Sequence, residues 1–349
     1  MASAEEIRER LLPRRSRVTS GDLLSSGSTV LNLACTGTKE GAFKKGGIYL
    51  LVGDSSSGKS FITRTMFAEA CLDSRFDGYD LIDDDPENGA NMDYAAYFGE
   101  AAADRIEKRA SANLEEFYDN LCGRKKPFIA LLDSLDALRS VAELDKAEED
   151  RKARAKGKKS KGSYGTGKAK ANSFHLGVLN QTCVDSDSIA ILICQTRDNI
   201  GLDAMFNPKT RGGGNAPTFF AQMELWTSIR ERSKTEVNGK EWKTGIVARV
   251  HVKKNRQTGR DRQVLVPLYY ASGLSDVDGN IRYLIDSGHW KVTNGLLNAR
   301  EFGEKLSVEE FVQYVEENDC EEALAELVES VWHDIDAKTA IVRKSKYVE

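Results

Sequence analysis

Residues Gly53 to Ser60 read GDSSSGKS, a complete G-x-x-x-x-G-K-[ST] sequence, and its surroundings restrict the fold more than any other part of the chain. The apolar run Ile48-Tyr49-Leu50-Leu51-Val52 leads in and reads as a buried strand. Phe61 to Cys71, free of Gly and Pro, leads out and reads as a helix. A strand feeding such a loop into a helix is the setting in which it binds phosphate. Backbone N–H groups of Ser55, Ser56, Ser57, Gly58 and Lys59 would then converge on an anion at a helix N-terminus. Gly53, Asp54 and Phe61 complete the expected nucleotide cradle, with Lys59 at the β/γ-phosphates and Ser60 holding Mg²⁺. ATP with Mg²⁺ is the implied pair of cofactors.

Three more apolar runs, Tyr79–Ile82, Phe128–Leu132 and Ile189–Cys194, are separated from the first and from one another by helical stretches. That alternation predicts an α/β fold, a mostly parallel central sheet flanked by helices. Each run is followed by polar residues: Asp83 to Asp85, Asp133-Ser134, and Gln195. Ligands bind at the carboxyl ends of such strands, so these residues converge on one nucleotide. Asp133 either caps the next helix or polarises a Mg²⁺-bound water, with Ser134 assisting. Beside an intact phosphate loop the metal role is the stronger reading. Asp83, Asp84 and Asp85 divide between capping and chemistry.

The chain has 349 residues, 40% hydrophobic and 30% charged, with a net charge of only −4, so total charge says nothing about nucleic acid. No apolar run approaches the roughly 18–20 residues of a membrane span. The start, MASAEEIRERLLPRR, lacks an apolar signal region, and six cysteines lack any C-x-x-C pairing. Free thiols in a reducing cytoplasm are the expectation. Ser3 and Glu6 would cap a short first helix that Pro13 ends, before the basic tract Arg14-Arg15-Ser16-Arg17.

Charge distribution is more informative. From Arg151 to Lys170 there are nine Lys/Arg and no Asp or Glu, among them Lys156, Lys158, Lys159, Lys161, Lys168 and Lys170. Such a segment cannot be core. It reads as a cationic loop, either a solvated linker or an arm that tracks a phosphate backbone. The acidic stretch before it, Glu143 to Asp150, allows part of it to be a charged helix. A second long Gly-rich loop, 196–216, carries Arg197, Ile200, Met205, Phe206, Lys209, Arg211, Gly212 and Gly213. It starts directly after Gln195, which suggests coupling between the nucleotide and a second ligand.

Ile246–Val252 and Gln263–Leu268 read as further strands, and Asn238-Gly239 as a hairpin turn. Ser307 and Glu310 would cap a helix near the C-terminus. Leu324, Leu327, Val328, Val331, Trp332 and Ile335 form the stripe of another in an acidic region. A solvated acidic face is the default reading of that region; competition with nucleic acid for the basic loops is the sharper one.

Taken in order, these segments resemble the RecA family of strand-exchange recombinases over roughly residues 25–291. SSGSTVLNLACTG looks like the family's lead-in segment, and GDSSSGKS and FIALLDSLDAL like its two ATPase signatures. ILICQTR followed by MFNPKTRGGGNA looks like its sensor strand, ending in Gln195, and second DNA loop; VKKNR looks like its pair of cations that reach a neighbour's ATP. The resemblance implies Lys254 and Arg256 as that pair, Glu87 as the water-activating acid, and Tyr94 as the residue stacked on adenine. Two extra residues before Glu87 make Asp85 its competitor.

The resemblance also implies a homo-oligomeric helical filament on single-stranded DNA, pairing with homologous duplex in the cytoplasm, aided by a single-strand-binding protein or a loading mediator. It places an N-terminal helix and polymerisation arm at 1–24, the ATPase core at 25–293 with DNA loops at about 141–173 and 196–216, and a helical region at 294–349. The basic first loop, the short N-terminal segment and Arg in place of the second Lys are departures that suggest a divergent, phage-type member. Alternatives are a DnaB-like ring helicase, whose basic finger KNRQTG also resembles, and a DNA-binding mediator with little turnover.

Overall fold

The computed structural model describes residues 20–89, 92–157, 166–198, 209–212 and 215–341; the side chains of 20 and 166–170 fall outside that description. The expected helix at Ser3–Glu6 and the basic tract after it, and Lys158, Lys159, Lys161, Ile200, Met205, Phe206 and Gly213, also lie outside the described residues.

The first half runs α1 (Thr29–Thr36), β1 (Gly47–Gly53), α2 (Lys59–Leu72), β2 (Asp80–Asp84), β3 (Ile106–Arg109), α3 (Leu114–Cys122) and β4 (Phe128–Leu132). It continues with α4 (Val141–Ala155), α5 (Thr166–Ser186), β5 (Ile189–Asp198) and β6 (Lys209–Arg211). Then follow β7 (Met223–Val237), β8 (Lys240–Asn255), β9 (Arg262–Tyr269), β10 (Gly273–Leu274), α6 (Asp276–Asp286), α7 (Val308–Glu317) and α8 (Glu321–Thr339). One ten-stranded sheet has the order β10-β9-β8-β7-β1-β5-β4-β2-β3, with β6 paired to β5. The run from β7 to β3 is parallel, and β8, β9 and β10 continue it antiparallel. The four expected parallel strands are therefore neighbours, and their carboxyl ends lie side by side.

Strand β1 shows why the sheet is central. Tyr49 and Leu51 point into one apolar cluster, and Ile48, Leu50 and Val52 into the other. A strand with no polar face must be covered on both sides. Helix α2 covers one face with Ile62, Met66, Phe67 and Ala70. Helices α3 and α5 cover the opposite face with Phe117, Leu121, Leu176 and Leu179. Each large side chain buried in this way contributes about 1.5–3 kcal/mol.

The β7–β8 hairpin turns at Asn238 (φ 54°) and Gly239 (φ 73°), the left-handed pair that a two-residue turn of this type requires. Its outer half is exposed, so the ribbon projects beyond the sheet. Helix α7 carries the expected Ser307–Glu310 capping box. Helix α8 buries Leu324, Val328, Val331 and Trp332 in the cluster that also holds Ile281 and Leu284 of α6. Two acids on α8 pair with cations of the core, Glu322 with Lys39 and Asp336 with both Arg260 and Arg262, and Glu329 accepts the backbone N–H of Lys39 at 3.0 Å. The acidic region is thus partly charge-matched to the core rather than wholly solvated.

The segment expected as a basic loop at 141–173 is largely helical where it is described. Helix α4 starts at a Ser140–Glu143 capping box and runs to Ala155, and α5 begins at Thr166. Ala, Glu, Lys and Arg favour helix without needing an apolar stripe. No helix among the described residues is long and apolar enough to cross a membrane.

Candidate functional site

The phosphate loop closes between β1 and α2 with little free space. A Cβ on Gly53 would lie 2.1 Å from Thr227 Oγ1, and one on Gly58 (φ 91°) would lie 2.4 Å from Leu268 Cδ1. Ser57 Oγ bonds Thr227 Oγ1 at 2.6 Å and donates to the Asp54 carbonyl at 2.8 Å, which ties the loop to β7. Lys59 is buried, and its Nζ donates to the carbonyls of Gly53 (2.9 Å) and Asp54 (2.6 Å). Burial lowers its pKa, against the pull of Asp133, Asp54 and Glu87. Ser60 Oγ donates to Asp133 Oδ2 at 2.6 Å, so the two expected metal-side groups are in direct contact. A loop too tight for side chains, a lysine folded over it and a hydroxyl–carboxylate pair fit a magnesium-bound triphosphate.

The acids after β2 divide. Glu87 Oε1 accepts from Ser134 Oγ (2.5 Å) and from Gln195 Nε2 (3.1 Å), at the ends of β4 and β5. Asp85 turns the other way, with Oδ2 at 3.7 Å from Arg64 Nη2. Asp84 accepts from the backbone N–H and hydroxyl of Ser111, just past β3, and burial raises its pKa. Asp83 is gripped by Arg64 through Nε (2.9 Å) and Nη2 (3.1 Å).

Two residues here depart from what the sequence suggests. Arg64, not among the expected site residues, has a wholly buried side chain that also donates to Asp133 Oδ2 at 2.9 Å. Its sequence signal is its position, one helical turn after Ser60 on the same face. Tyr94, expected to stack on adenine, is 3% exposed, with its hydroxyl bonded to Asp83 and Arg64. The reason is electrostatic: the phenol completes the coordination of a buried ion cluster, and burial, then Asp83, push its pKa up. Phe61 instead packs edge-on against Tyr97 at 5.0 Å, and Tyr97 donates to the Tyr270 carbonyl at 2.7 Å.

The root of the second loop touches the phosphate loop. Thr196 Oγ1 bonds Asp54 Oδ1, and Lys209 Nζ lies 3.4 Å from the same oxygen and 3.0 Å from Asp198. The Thr196 bond is the main reason the Asp54 carboxyl titrates below its ordinary value, and Lys209 acts in the same direction. Asp136 accepts the Gln195 N–H (2.9 Å) and one Arg197 nitrogen (3.2 Å). A Cβ on Gly212 would meet Asp136 Oδ1 at 2.0 Å, so only glycine lets β6 close there. Arg197 is 63% exposed and Lys209 45% exposed. Arg211 differs from the expectation of a DNA-facing cation: at 8% exposure it turns inward to Thr218, Gly212 O and Glu224. Burial of Glu224 beside it explains the turn. Lys156 is exposed at the end of α4.

Lys254 and Arg256 lie away from the phosphate loop of their own chain. Gly53 is level with Thr227, and Thr227 with Val250. Lys254 is four residues further along an antiparallel strand, roughly 13 Å toward the amino end of β1. Its Nζ bonds the carbonyls of Thr218 and Ala221 (2.7 Å), and Arg256 donates to Phe219 O at 2.7 Å. Burial and then the Arg256 charge lower the pKa of Lys254.

Strand order, loop and acids together define a phosphate-loop nucleotide-binding fold with its site at the strand ends. Residues 12–275 match the RecA N-terminal domain, and the chain belongs to the RecA family. It is similar to Protein RecA of Streptococcus gordonii and of Streptococcus parasanguinis, 25% identical over 295 residues, which cover 80% of this chain and 72% of each relative. Protein RecA of Streptococcus pneumoniae matches at the same identity, covering 71% of its length. At the level of the family, the function is of recombinase type.

Proposed function

We propose that this chain is a DNA-dependent ATPase that polymerises on single-stranded DNA and exchanges it with a homologous duplex. The observation that carries the reading is the continuous link from Glu87 through Gln195 and Thr196 to Asp54. The end of β5 bonds the water-side acid through one residue and the phosphate loop through the next. A shift of the second loop is therefore felt on both sides of a bound nucleotide.

Glu87 is the group that orients and deprotonates the attacking water, and Ser134 and Gln195 hold its carboxylate in place. Lys59 moves from the loop carbonyls to the phosphates when nucleotide enters. Ser60 and Asp133 would hold Mg²⁺, which would supply charge neutralisation at the phosphates. Phe61, Tyr97 and Tyr270 form the apolar side beside the base; this role passes to them because Tyr94 is buried. Lys254 and Arg256 act on the nucleotide of an adjoining copy, since they cannot reach their own. A head-to-tail contact whose rotation does not close gives a helical filament.

Arg197, Lys209, Lys156 and the lysines at 158, 159, 161, 168 and 170 neutralise DNA phosphates, giving affinity with little sequence preference. Ile200, Met205 or Phe206 wedges between bases; a contact of that kind is worth about 1–3 kcal/mol per base. Sequence is read by base pairing between the held strand and the incoming duplex. Lys59→Ala tests the coupling: the variant loses nucleotide-dependent DNA binding, and binding that still rises on adding a non-hydrolysable ATP analogue would refute it.

A further inference from the structure

Arg64 is a fully buried guanidinium among the acids of the site, and neither the phosphate-loop motif nor the second ATPase signature includes it. It stands four residues after Ser60 on α2, so both side chains rise from one helix face toward the end of β4. Both meet the same atom: Ser60 Oγ and Arg64 Nη1 donate to Asp133 Oδ2 at 2.6 and 2.9 Å. The rest of the fork is committed to β2 and its tail, with two bonds to Asp83 and Nη2 3.7 Å from Asp85. Glu87 lies outside this cluster, on the neutral donors Ser134 and Gln195.

We propose that Arg64 is a positioning residue that fixes Asp133 for the metal and holds Asp83 and Asp85 away from the reacting phosphate, leaving Glu87 as the acid that faces the water. This rests on the nucleotide reading above and deepens it. It also accounts for the two extra residues before Glu87. Asp83 is taken by Arg64 and Asp84 by Ser111, so the water-side acid stands further along the loop. A planar fork is needed: it bonds Asp83 through one edge and Asp133 through another, which a lysine ammonium, a point charge, cannot do at once.

The test measures the Mg²⁺ concentration that half-saturates binding of a fluorescent ADP analogue to the full chain, with no turnover involved. Two variants are used: Arg64→Lys, which keeps the charge, and Arg64→Met with Asp83→Asn, which removes a cation and an anion together and leaves the net charge of the cluster unchanged. Thermal melting confirms that each is folded. Losing such a supporting contact to a metal ligand typically weakens metal binding or activity by about 10–100-fold. Both variants should need at least about tenfold more Mg²⁺, and kcat for ATP should fall more than KM rises. A folded variant of either kind that keeps the wild-type Mg²⁺ requirement overturns the proposal. If the wild-type chain bound no nucleotide at any Mg²⁺ concentration, the nucleotide reading itself would fail, which is a separate result.

Discussion

Gln195 Nε2 lies 3.1 Å from Glu87 Oε1, which joins the end of strand β5 to the loop that follows β2. Between these two strands in the sheet is β4, and Ser134 just after it donates to the same carboxylate oxygen. The ends of β4 and β5 thus hold the acid that follows β2, while Arg64 holds Asp83, Asp85 and Asp133. The first prediction follows from that division. Glu87→Gln keeps the hydrogen-bonding shape and removes the base. DNA-stimulated phosphate release should fall by about 10²–10⁴-fold. Binding of a nucleotide analogue should persist, and steady-state kinetics with parallel equilibrium binding reads both.

The distance between Lys254 and the phosphate loop of its own chain predicts complementation between defective copies. Lys59→Ala and the double variant Lys254→Ala, Arg256→Ala should each be inactive in ATP hydrolysis. Mixed, they should recover part of it, because some interfaces pair an intact Lys59 with an intact Lys254 and Arg256. A mixture no more active than its components would show that the pair acts within one chain or not at all.

Replacing Lys156 and the lysines at 158, 159 and 161 with Gln should flatten the salt dependence of single-strand binding. Each lost phosphate contact removes about 0.7 from the slope of log K against log salt. Fluorescence titrations at several salt concentrations measure it. An unchanged slope makes the segment a linker.

Asp276 accepts from Thr29 N (2.6 Å) and Thr29 Oγ1 (2.7 Å), fastening α6 to α1, and burial raises its carboxyl pKa to about 6. An unfolded Asp titrates near 3.9, so the folded state binds this proton more tightly. The stability it contributes is fully present below about 4 and is lost as pH rises through about 6. Compared with Asp276→Asn, the wild-type chain should therefore lose melting temperature between about pH 4 and pH 6 and run parallel above. A constant difference over that range would assign the carboxyl an ordinary pKa.

Much of this was legible in the residues because it is local. The phosphate loop, its strand and helix, the Asn238-Gly239 turn and the Ser307–Glu310 cap each need only a few adjacent positions. Strands Ile48–Val52 and Phe128–Leu132 were visible because burial on both faces makes them continuously apolar. Strand β8 begins at Lys240 rather than near Ile246 because its outer half has no buried face and no alternation to read. The full extent of α4 hid for a similar reason: the charged stretch around Arg151 forms helix by propensity, without a buried stripe. Arg64 and Tyr94 were illegible because their surroundings come from β2 and β4, which only the strand order brings beside α2. Arg211 was read by its charge, whereas Glu224, thirteen residues on, decides which way it faces.

The most direct test of the central claim, that nucleotide is bound between adjoining copies on a DNA strand, is electron microscopy of the purified chain. The sample contains single-stranded DNA, Mg²⁺ and a non-hydrolysable ATP analogue, and a control omits the analogue. Open helical filaments that depend on the analogue, and that are lost in Lys254→Ala, Arg256→Ala, are the expected result. Closed rings, or single copies scattered along the DNA, would contradict it.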